Sequence, residues 1–512
     1  MILINPALRE ETQPAIIKSL TYTTFPMGLG YLAAYLREYN KVNAEIVDES
    51  INSLTSNILK NKVSNWYGGP KIIGISCLTG TMSRALELTH LIKKIDPEIR
   101  VVMGGIHASA LPEDTLKKSA ADIVVRGEAE HILSDLYTTI KEKGDLREVQ
   151  GISFKLDNEI IHNAERPFIK NIAEIPPFPY DLFGEHIELY KDFGTIISSR
   201  GCPFHCTFCS QRVISGYTKY RFLPNDRIIE KIRLLVDKYQ QKKIWFIEDS
   251  FTINKKRMIS LLDDIIASGY HKKAAFITQS RGKGLTWDML LKLKEANFVS
   301  INFGFETGSE RVMSTIKKGE TVEDNIEAVK LTHKAGLLTD GSFIMGLPTE
   351  TKEERKMSSK IARSIPLDGA RFNIAIPYPG TELNEIAAKE KRLLTLNDWS
   401  NYSNQNYLIS DSIPYAPIGT KRIELVYDTL VANLAFNLRP KTLIKTFFTS
   451  PLSGGAVLSL PKKWFLSPKT LFIFLRFSIL LVNRFAVIAI KNFLAKFDKT
   501  GDQGNDTRIS SR

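Results

Sequence analysis

The sequence predicts an α/β protein: two strand–helix units joined by a proline-rich linker, then a mainly helical, basic C-terminal region. Three observations predict it. Short apolar, β-rich runs alternate with helical patterns through residues 1–150, and a second such series follows residue 190. Alternation at this spacing implies parallel sheets covered by helices. From about Leu394 the periodicity turns helical. At 512 residues the chain is too long for one ordinary domain. Its 43% hydrophobic and 24% charged residues exclude a disordered or low-complexity protein.

In the first unit, residues 1–150, the segments Ile2–Ile4, Ala44–Val47, Ile72–Ser76, Val101–Met103 and Ile123–Val125 read as buried strands. Gly28–Leu36, Met82–Ile95 and Glu130–Ile140 read as helices between them. Ligands of such sheets lie outside the carboxyl ends of the strands. Ile172–Phe183 is rich in proline, so residues 151–190 read as a linker. In the second unit, residues 191–393, the strands are Thr195–Ser198, Ile244–Ile247, Ala274–Thr278, Val299–Phe305, Ser342–Met345 and Phe372–Ile376. Six strands with intervening helices suggest a partial (β/α)6 barrel, open on one side, with its chemistry where the strands end.

The third region, residues 394–512, holds most of the excess charge. From Arg439 to Phe497 there is no Asp or Glu but ten Lys or Arg, and the last fifteen residues balance. Subtracting those ten from the net +13 leaves +3 for residues 1–438. A nucleic-acid enzyme carries its bases on the working domains, so no nucleic-acid partner is expected. A basic excess on an apolar segment points to an anionic membrane surface. In Lys469–Lys491 the polar residues Lys469, Arg476, Asn483, Arg484 and Lys491 share one sector of a helix. The alternative is a helix packed on the open side of the barrel. Arg476 and Arg484 interrupt the apolar run, which argues against spanning. The start, MILINPALREETQ, lacks a secretory pattern. The expected location is therefore the cytoplasm, peripheral on the inner face of the cell membrane. Four cysteines exclude a disulfide scaffold.

Three of those cysteines, Cys202, Cys206 and Cys209, fall within eight positions just after the first barrel strand. A structural zinc site needs four ligands, and no second pair of suitable spacing follows. Three thiolates on one loop can hold three irons of a [4Fe–4S] cluster and leave the fourth open. The alternative is three buried or free thiols. Cys77 stands apart and reads as a small buried residue.

This Cys-x3-Cys-x2-Cys, with Phe208 before the last cysteine, resembles the radical S-adenosylmethionine (SAM) superfamily over Thr195–Leu383. The resemblance implies that the three cysteines bind the cluster and that the strand ends bind SAM. The matching positions are Phe208, Asp249, Gln279, Arg281, Glu306, Ser309 and Lys317, together with Phe343–Pro348. Glu306 is expected to face the ribose and Lys317 the SAM carboxylate. The family's chemistry is one-electron cleavage of SAM to a 5′-deoxyadenosyl radical, which removes a hydrogen atom from an unactivated carbon.

Ser76-Cys77-Leu78, followed by Gly104-Gly105, resembles the Rossmann-like cobalamin (B12)-binding domain. There, small residues admit the nucleotide tail of the corrin between strand ends. The stretch Asp48 to Ser53 matches the domain's Asp-x-His-x-x-Gly, with Asp48 kept, Ser50 in place of the His and Ser53 in place of the Gly. No histidine of that motif is therefore expected on cobalt. Gly104-Gly105-Ile106-His107 and Val125-Arg126-Gly127-Glu128 also resemble B12-binding radical SAM proteins, and His107 is a candidate to approach cobalt or the tail. The alternative is a nucleotide-binding or purely structural α/β domain.

Together the resemblances imply an anaerobic cobalamin-dependent radical SAM enzyme that methylates an unactivated carbon of a small-molecule or lipid-like substrate. A flavodoxin or ferredoxin would supply electrons. A second reading is radical cyclisation, as in the anaerobic Mg-protoporphyrin ester cyclases. A third, from another class, is a binding protein without turnover, against which the complete cysteine triad and the strand-end polar residues argue. No individual side chain is assigned as catalytic.

Overall fold

The computed structural model describes residues 1–8, 25–66, 68–190, 193–216, 220–393, 399–403, 406–408, 410, 412–440, 442 and 483–495. The first sheet has seven strands: β1 (Ile2–Asn5), β2 (Glu45–Asp48), β3 (Ile72–Ser76), β4 (Arg100–Gly104), β5 (Ile123–Val125), β6 (Ile152–Leu156) and β7 (Glu159–His162). Their order is β2-β1-β3-β4-β5-β6-β7. The first five are parallel, and β6 and β7 add an antiparallel edge. Residues 152–162 therefore continue the first sheet, although they were expected to open the linker. Ile152 and Phe154 are fully buried, so this hairpin covers an edge that β5 would otherwise expose.

The second sheet contains β8 (Thr195–Ile196), β11 (Lys243–Phe246), β12 (Ala275–Ser280), β13 (Phe298–Glu306), β14 (Leu338–Met345) and β15 (Gly369–Ile374). They are parallel and run in the order β15-β14-β13-β12-β11-β8, as an opened barrel requires. A two-stranded ribbon, β9 (Ser199–Arg200) and β10 (Arg221–Phe222), frames the cysteine loop. Inside the barrel Phe305, Phe343 and Phe372 stack across adjacent strands with ring centroids 4.9 Å apart. Such offset stacks add to burial energy and help fix register. Thr321 and Thr351 start the helices Val322–Lys334 and Lys352–Ser364 with capping boxes, which satisfy backbone donors at each N-terminus.

The linker is not a loose tether. Phe25, Phe178, Tyr180, Phe183, Tyr190 and Phe193 pack edge-on, tilted or stacked at 4.7–6.2 Å. They bind the first domain to the barrel. The helix Arg422–Asn437 closes over β15, where Asn433 exchanges hydrogen bonds with the backbone of Phe372. The buried Arg355 donates to Asp428 of that helix at 2.9 Å. A further helix covers 483–495. Lys462, Lys463, Lys469 and Arg476 lie outside the described residues. Among the described residues, no helix is long and apolar enough to cross a membrane.

Candidate active site

The carboxyl ends of the two sheets face each other across one cavity. Ser76, Gly104, Gly105 and Val125 line it from the first domain, and Ser199, Gly201, Glu248, Asp249 and Gln279 from the barrel. Most of the first-domain wall is small or apolar, with Leu3, Leu29, Gly74, Ile75 and Val102, while Glu128 and Glu130 stand at its edge toward the barrel. Gly104 and Gly105 have different reasons to be glycine. Gly105 has φ +94°, and a Cβ there would sit 2.9 Å from the backbone N and O of Cys77. Its need is conformational. A Cβ on Gly104 would make only ordinary contacts, the nearest 3.7 Å away at Val125 O. Gly104 therefore leaves open space at the strand end, as a ligand tail entering there requires.

The cysteine loop leaves β9 and packs on the barrel through Thr207. Thr207 N donates to Ile316 O at 3.0 Å, and Leu383 N donates to Thr207 O at 2.8 Å. Cys206 is buried, and Cys202 and Cys209 are partly buried. Burial raises all three thiols, Cys209 to about 12, and the three are close enough to influence one another's ionisation. Yet among the described residues no group of three His, Cys, Asp or Glu converges on a single metal ion. Three thiols on one short loop suit a polynuclear cluster, in which each iron takes one thiolate at a separate corner. Phe204 of this loop lies beneath the guanidinium of Arg281, 3.8 Å from ring centroid to charge, a cation–π contact that holds the loop. The Tyr220 hydroxyl lies 3.8 Å from Cys202 Sγ.

Asp249 and Gln279 line the cavity. Asp249 faces its interior, where desolvation raises the carboxyl to about 6, and accepts from Gln211 at 3.0 Å. Gln279 donates its amide to Glu248 O. Glu306 sits at a β-bulge with φ +61°, an uncommon conformation outside glycine that recurs at functional sites. Arg281 donates to Lys318 O and pairs with Glu320 at 3.6 Å.

Two positions lie outside the cavity's lining. Lys317 is exposed and pairs with Glu382 at 2.6 Å. The neighbouring Lys318 is buried, bonded to Glu306 Oε1 at 2.7 Å and to Glu320 at 3.1 Å. The left-handed turn at Lys317, φ +54°, sends that side chain outward and the next one inward. Ser309 is the N-cap of the helix Glu310–Thr315, accepting from Val312 N and donating to Glu354 at 2.7 Å; its hydroxyl is spent on the fold. Phe208 packs beside Val312, Leu347 and Leu383 in a small core.

On the cobalamin side, three expected residues are not brought to the cavity. Asp48 accepts from Asn5, Ser50 and Tyr190 at 2.6–2.9 Å, so its carboxylate ties the end of β2 to the linker. Leu78 is 56% exposed and is not among the cavity's lining residues. His107 is buried under Trp399, with Nδ1 3.3 Å from Thr79 Oγ1. Burial pushes its imidazole down to about 4.

The sequence reading missed a set of buried charges where the domains meet. Arg200, the residue before Gly201-Cys202, donates to Glu130 at 2.6 Å and lies 3.7 Å from Glu128. Arg221 grips Glu128 with two bonds, at 2.8 and 2.9 Å. Glu248, at the end of β11, is buried and held by Ser198, Ser199 and Arg257. The signal was present in part: Glu128 stood at the end of a motif, but its partners are 72 and 93 positions away in the chain.

The family model of the Radical SAM superfamily matches residues 196–361, and that of the B12 binding domain matches residues 14–137. The chain is 35% identical over 442 residues to an uncharacterized methyltransferase of Pyrococcus horikoshii, covering 85% of this chain and 93% of the relative. It is 27% identical over 388 residues to the anaerobic magnesium-protoporphyrin IX monomethyl ester cyclase of Cereibacter sphaeroides, covering 74% of this chain and 62% of that protein. Among solved structures, the radical SAM methyltransferase TsrM of Kitasatospora setae superposes with TM-score 0.67 at 15% identity, over 96% of this chain and 99% of that one. The cobalamin-dependent radical SAM enzyme OxsB superposes with TM-score 0.60 at 22% identity, over 83% of this chain and 60% of that one.

Proposed function

The chain belongs to the cobalamin-binding radical SAM family, and from that premise we propose that it transfers methyl groups to an unactivated carbon of an apolar, lipid-like substrate. The observation that carries this reading is the shared cavity. The strand ends suited to a corrin and those suited to SAM line one space, so groups bound at each would meet without leaving the protein.

Cys202, Cys206 and Cys209 would hold the cluster, and Ser76, Gly104 and Val125 the tail side of cobalamin. When bound, the cluster supplies the electron that cleaves SAM, and cobalamin carries the methyl group. The protein's own part is positioning. Lys318, whose three N–H donors meet Glu306, Glu320 and Gly304 O, would reach the SAM carboxylate by exchanging one of those acceptors for it. Arg281 locks the cysteine loop through Phe204. The apolar wall keeps water from the radical's path, which prevents side reactions. Ile197, Ile214 and Ile247 on the barrel side of the cavity support an apolar substrate, because burying a polar one against them would leave its groups unpaired.

The 35% identical relative is named a methyltransferase, which favours methyl transfer. The cyclase relative favours the second reading, radical cyclisation. One experiment separates them. The full chain is reconstituted anaerobically with iron, sulfide and hydroxocobalamin, then given SAM labelled in its methyl group and a flavodoxin or ferredoxin reductant. Methyl transfer gives S-adenosylhomocysteine and label in the cobalamin fraction, as well as 5′-deoxyadenosine. Cyclisation gives 5′-deoxyadenosine with no label moved. Formation of neither product would assign a binding role.

A further inference from the structure

The helix at 483–495 docks on the protein by one face and turns an apolar stripe outward. Ile488 is fully buried and Asn492 is 8% exposed. Phe485 stacks on Tyr427, centroids 5.8 Å apart. Arg484 donates to Tyr407 O at 3.4 Å, and Lys421 Nζ donates to Ala495 O at 2.6 Å. On a helix of roughly 100° per residue, Arg484, Ile488, Asn492 and Ala495 share one face. Val487, Ile490, Phe493 and Leu494 occupy an arc of about 120° on the opposite side. They are 46%, 60%, 59% and 60% exposed. A group of large apolar side chains this open marks an interaction surface.

Charge identifies what the surface meets. Arg439 to Phe497 contains ten Lys or Arg and no acid. A second copy of the chain would carry the same basic excess in this segment, and like charges oppose that contact. We propose that the outward face of helix 483–495 docks on an anionic lipid bilayer, with Val487, Ile490, Phe493 and Leu494 entering the acyl boundary and the basic excess of the 439–497 sequence favouring anionic headgroups. The helix lies on the surface and does not cross. Among the described residues no helix is long and apolar enough to cross a membrane, and Arg484 on this one would be costly in the apolar core.

The docked face also orients the barrel. Lys421 holds the end of helix 483–495 at Ala495. Leu425, one turn further along, packs against Gly346 just after β14, where a Cβ would come within 2.4 Å of it. The C-terminal end of the stripe thus lies on the side of the barrel where the strands end, the side of the cavity. The docking rests on this surface alone and does not depend on methyl transfer.

The test is sedimentation of the full chain with vesicles of phosphatidylcholine, with and without phosphatidylglycerol. The wild type is expected to sediment with the anionic vesicles and to be released as salt rises, since charge attraction is screened. A variant carrying Val487→Ser, Ile490→Ser and Leu494→Ser is expected to bind about tenfold more weakly or worse, with an unchanged melting temperature. Equal sedimentation of wild type and variant, or of neither, overturns the proposal. So does equal binding to neutral and anionic vesicles. A wild-type dimer that the variant loses would show the stripe to be a contact between copies. A variant that melts earlier and does not differ in vesicle binding would show the stripe to be covered by the chain itself.

Discussion

Replacing Arg200 by alanine probes the charges that join the cysteine loop to the first domain. Arg200 bonds Glu130, and the Glu128 and Glu130 side chains are each only 6% exposed. Burial alone would raise the carboxyl of Glu130, but attraction and hydrogen bonding from Arg200 outweigh it and leave the group below its ordinary value. Arg200 is raised in turn, since the acids outweigh its own desolvation. Without Arg200, Glu130 must stay ionised and unpaired, at about 3–5 kcal/mol, or take up a proton. Protonating a carboxyl of ordinary pKa about 4.3 costs roughly 3.7 kcal/mol at pH 7 and about 1 kcal/mol at pH 5.

The expected loss relative to wild type is therefore about 3–4 kcal/mol at pH 7 and about 1 kcal/mol at pH 5. The sign follows from linkage. The depressed folded pKa of Glu130 in the wild type contributes stability above the unfolded value; in the variant the folded pKa is raised, so stability falls as pH rises through the same range. For a domain of barrel size, at about 2–4 °C per kcal/mol, the melting temperature should drop by roughly 7–15 °C at pH 7 and 2–4 °C at pH 5. Thermal unfolding followed by circular dichroism at both pH values reads this directly, with Arg200→Lys expected to fall between. Equal losses at the two pH values would refute the charge argument and assign the effect to the packing of Arg200 over Tyr31, 5.3 Å away. A loss below about 1 kcal/mol at pH 7 would mean that water reaches the pair.

Three further outcomes are expected. Cys202→Ala, Cys206→Ala and Cys209→Ala should each lose cluster iron and SAM cleavage, whereas Cys77→Ala should keep both; iron analysis and 5′-deoxyadenosine assay decide. Lys318→Met should weaken SAM binding to the cluster-loaded protein at least about tenfold, the loss of one charged hydrogen bond, with Lys318→Arg recovering part of it; Lys317→Met should change it by less than about twofold. Glu350 is buried, accepts from Gly346 N at 2.5 Å, and burial raises its carboxyl to about 8. The folded state therefore holds a proton that the unfolded chain releases near pH 4.3, and Glu350 costs stability increasingly from there to pH 8. Glu350→Gln should raise the melting temperature at pH 8.5 and leave it nearly unchanged at pH 4.5, and a gain independent of pH would contradict the assignment.

What the sequence made legible was local. Strands such as Ile72–Ser76 and Ile123–Val125 announce themselves because a strand buried on both faces is a continuous apolar run. The cysteine loop is legible because its ligands are neighbours in the chain. The hairpin β6–β7 was hidden because Glu159–His162 is half polar and alternation with helices has stopped by that point, so it looks like the start of a linker. Lys317 and Lys318 could not be told apart by type, since only the left-handed backbone at Lys317 decides which one turns inward. Asp48 and Ser309 kept motif positions but were used by the fold, for partners that only the tertiary structure supplies. Arg200 and Glu130 were invisible for the same reason, being 70 residues apart.

Polarity divides the cavity and limits what can bind in each half. Its charged residues, Glu128, Glu130, Arg200, Glu248 and Asp249, lie where the 127–130 edge of the first domain meets the barrel. The first-domain wall of Leu3, Leu29, Gly74, Ile75, Val102 and Val125 has no ionisable side chain. The amino and carboxylate groups of SAM placed against that wall would lose water without gaining partners, at several kcal/mol each. At the barrel ends the same groups find Lys318, Arg281 and the cysteine loop within one electrostatic neighbourhood. A bulky ligand of low charge has the opposite preference, since Gly104 gives it room and the apolar wall gives it contact. Each half thus excludes the other's ligand. The charges of Arg200, Arg221, Glu128 and Glu130 are nearly neutral in sum and hold the two halves at fixed separation, so a change there should alter the distance across the cavity before it alters either half.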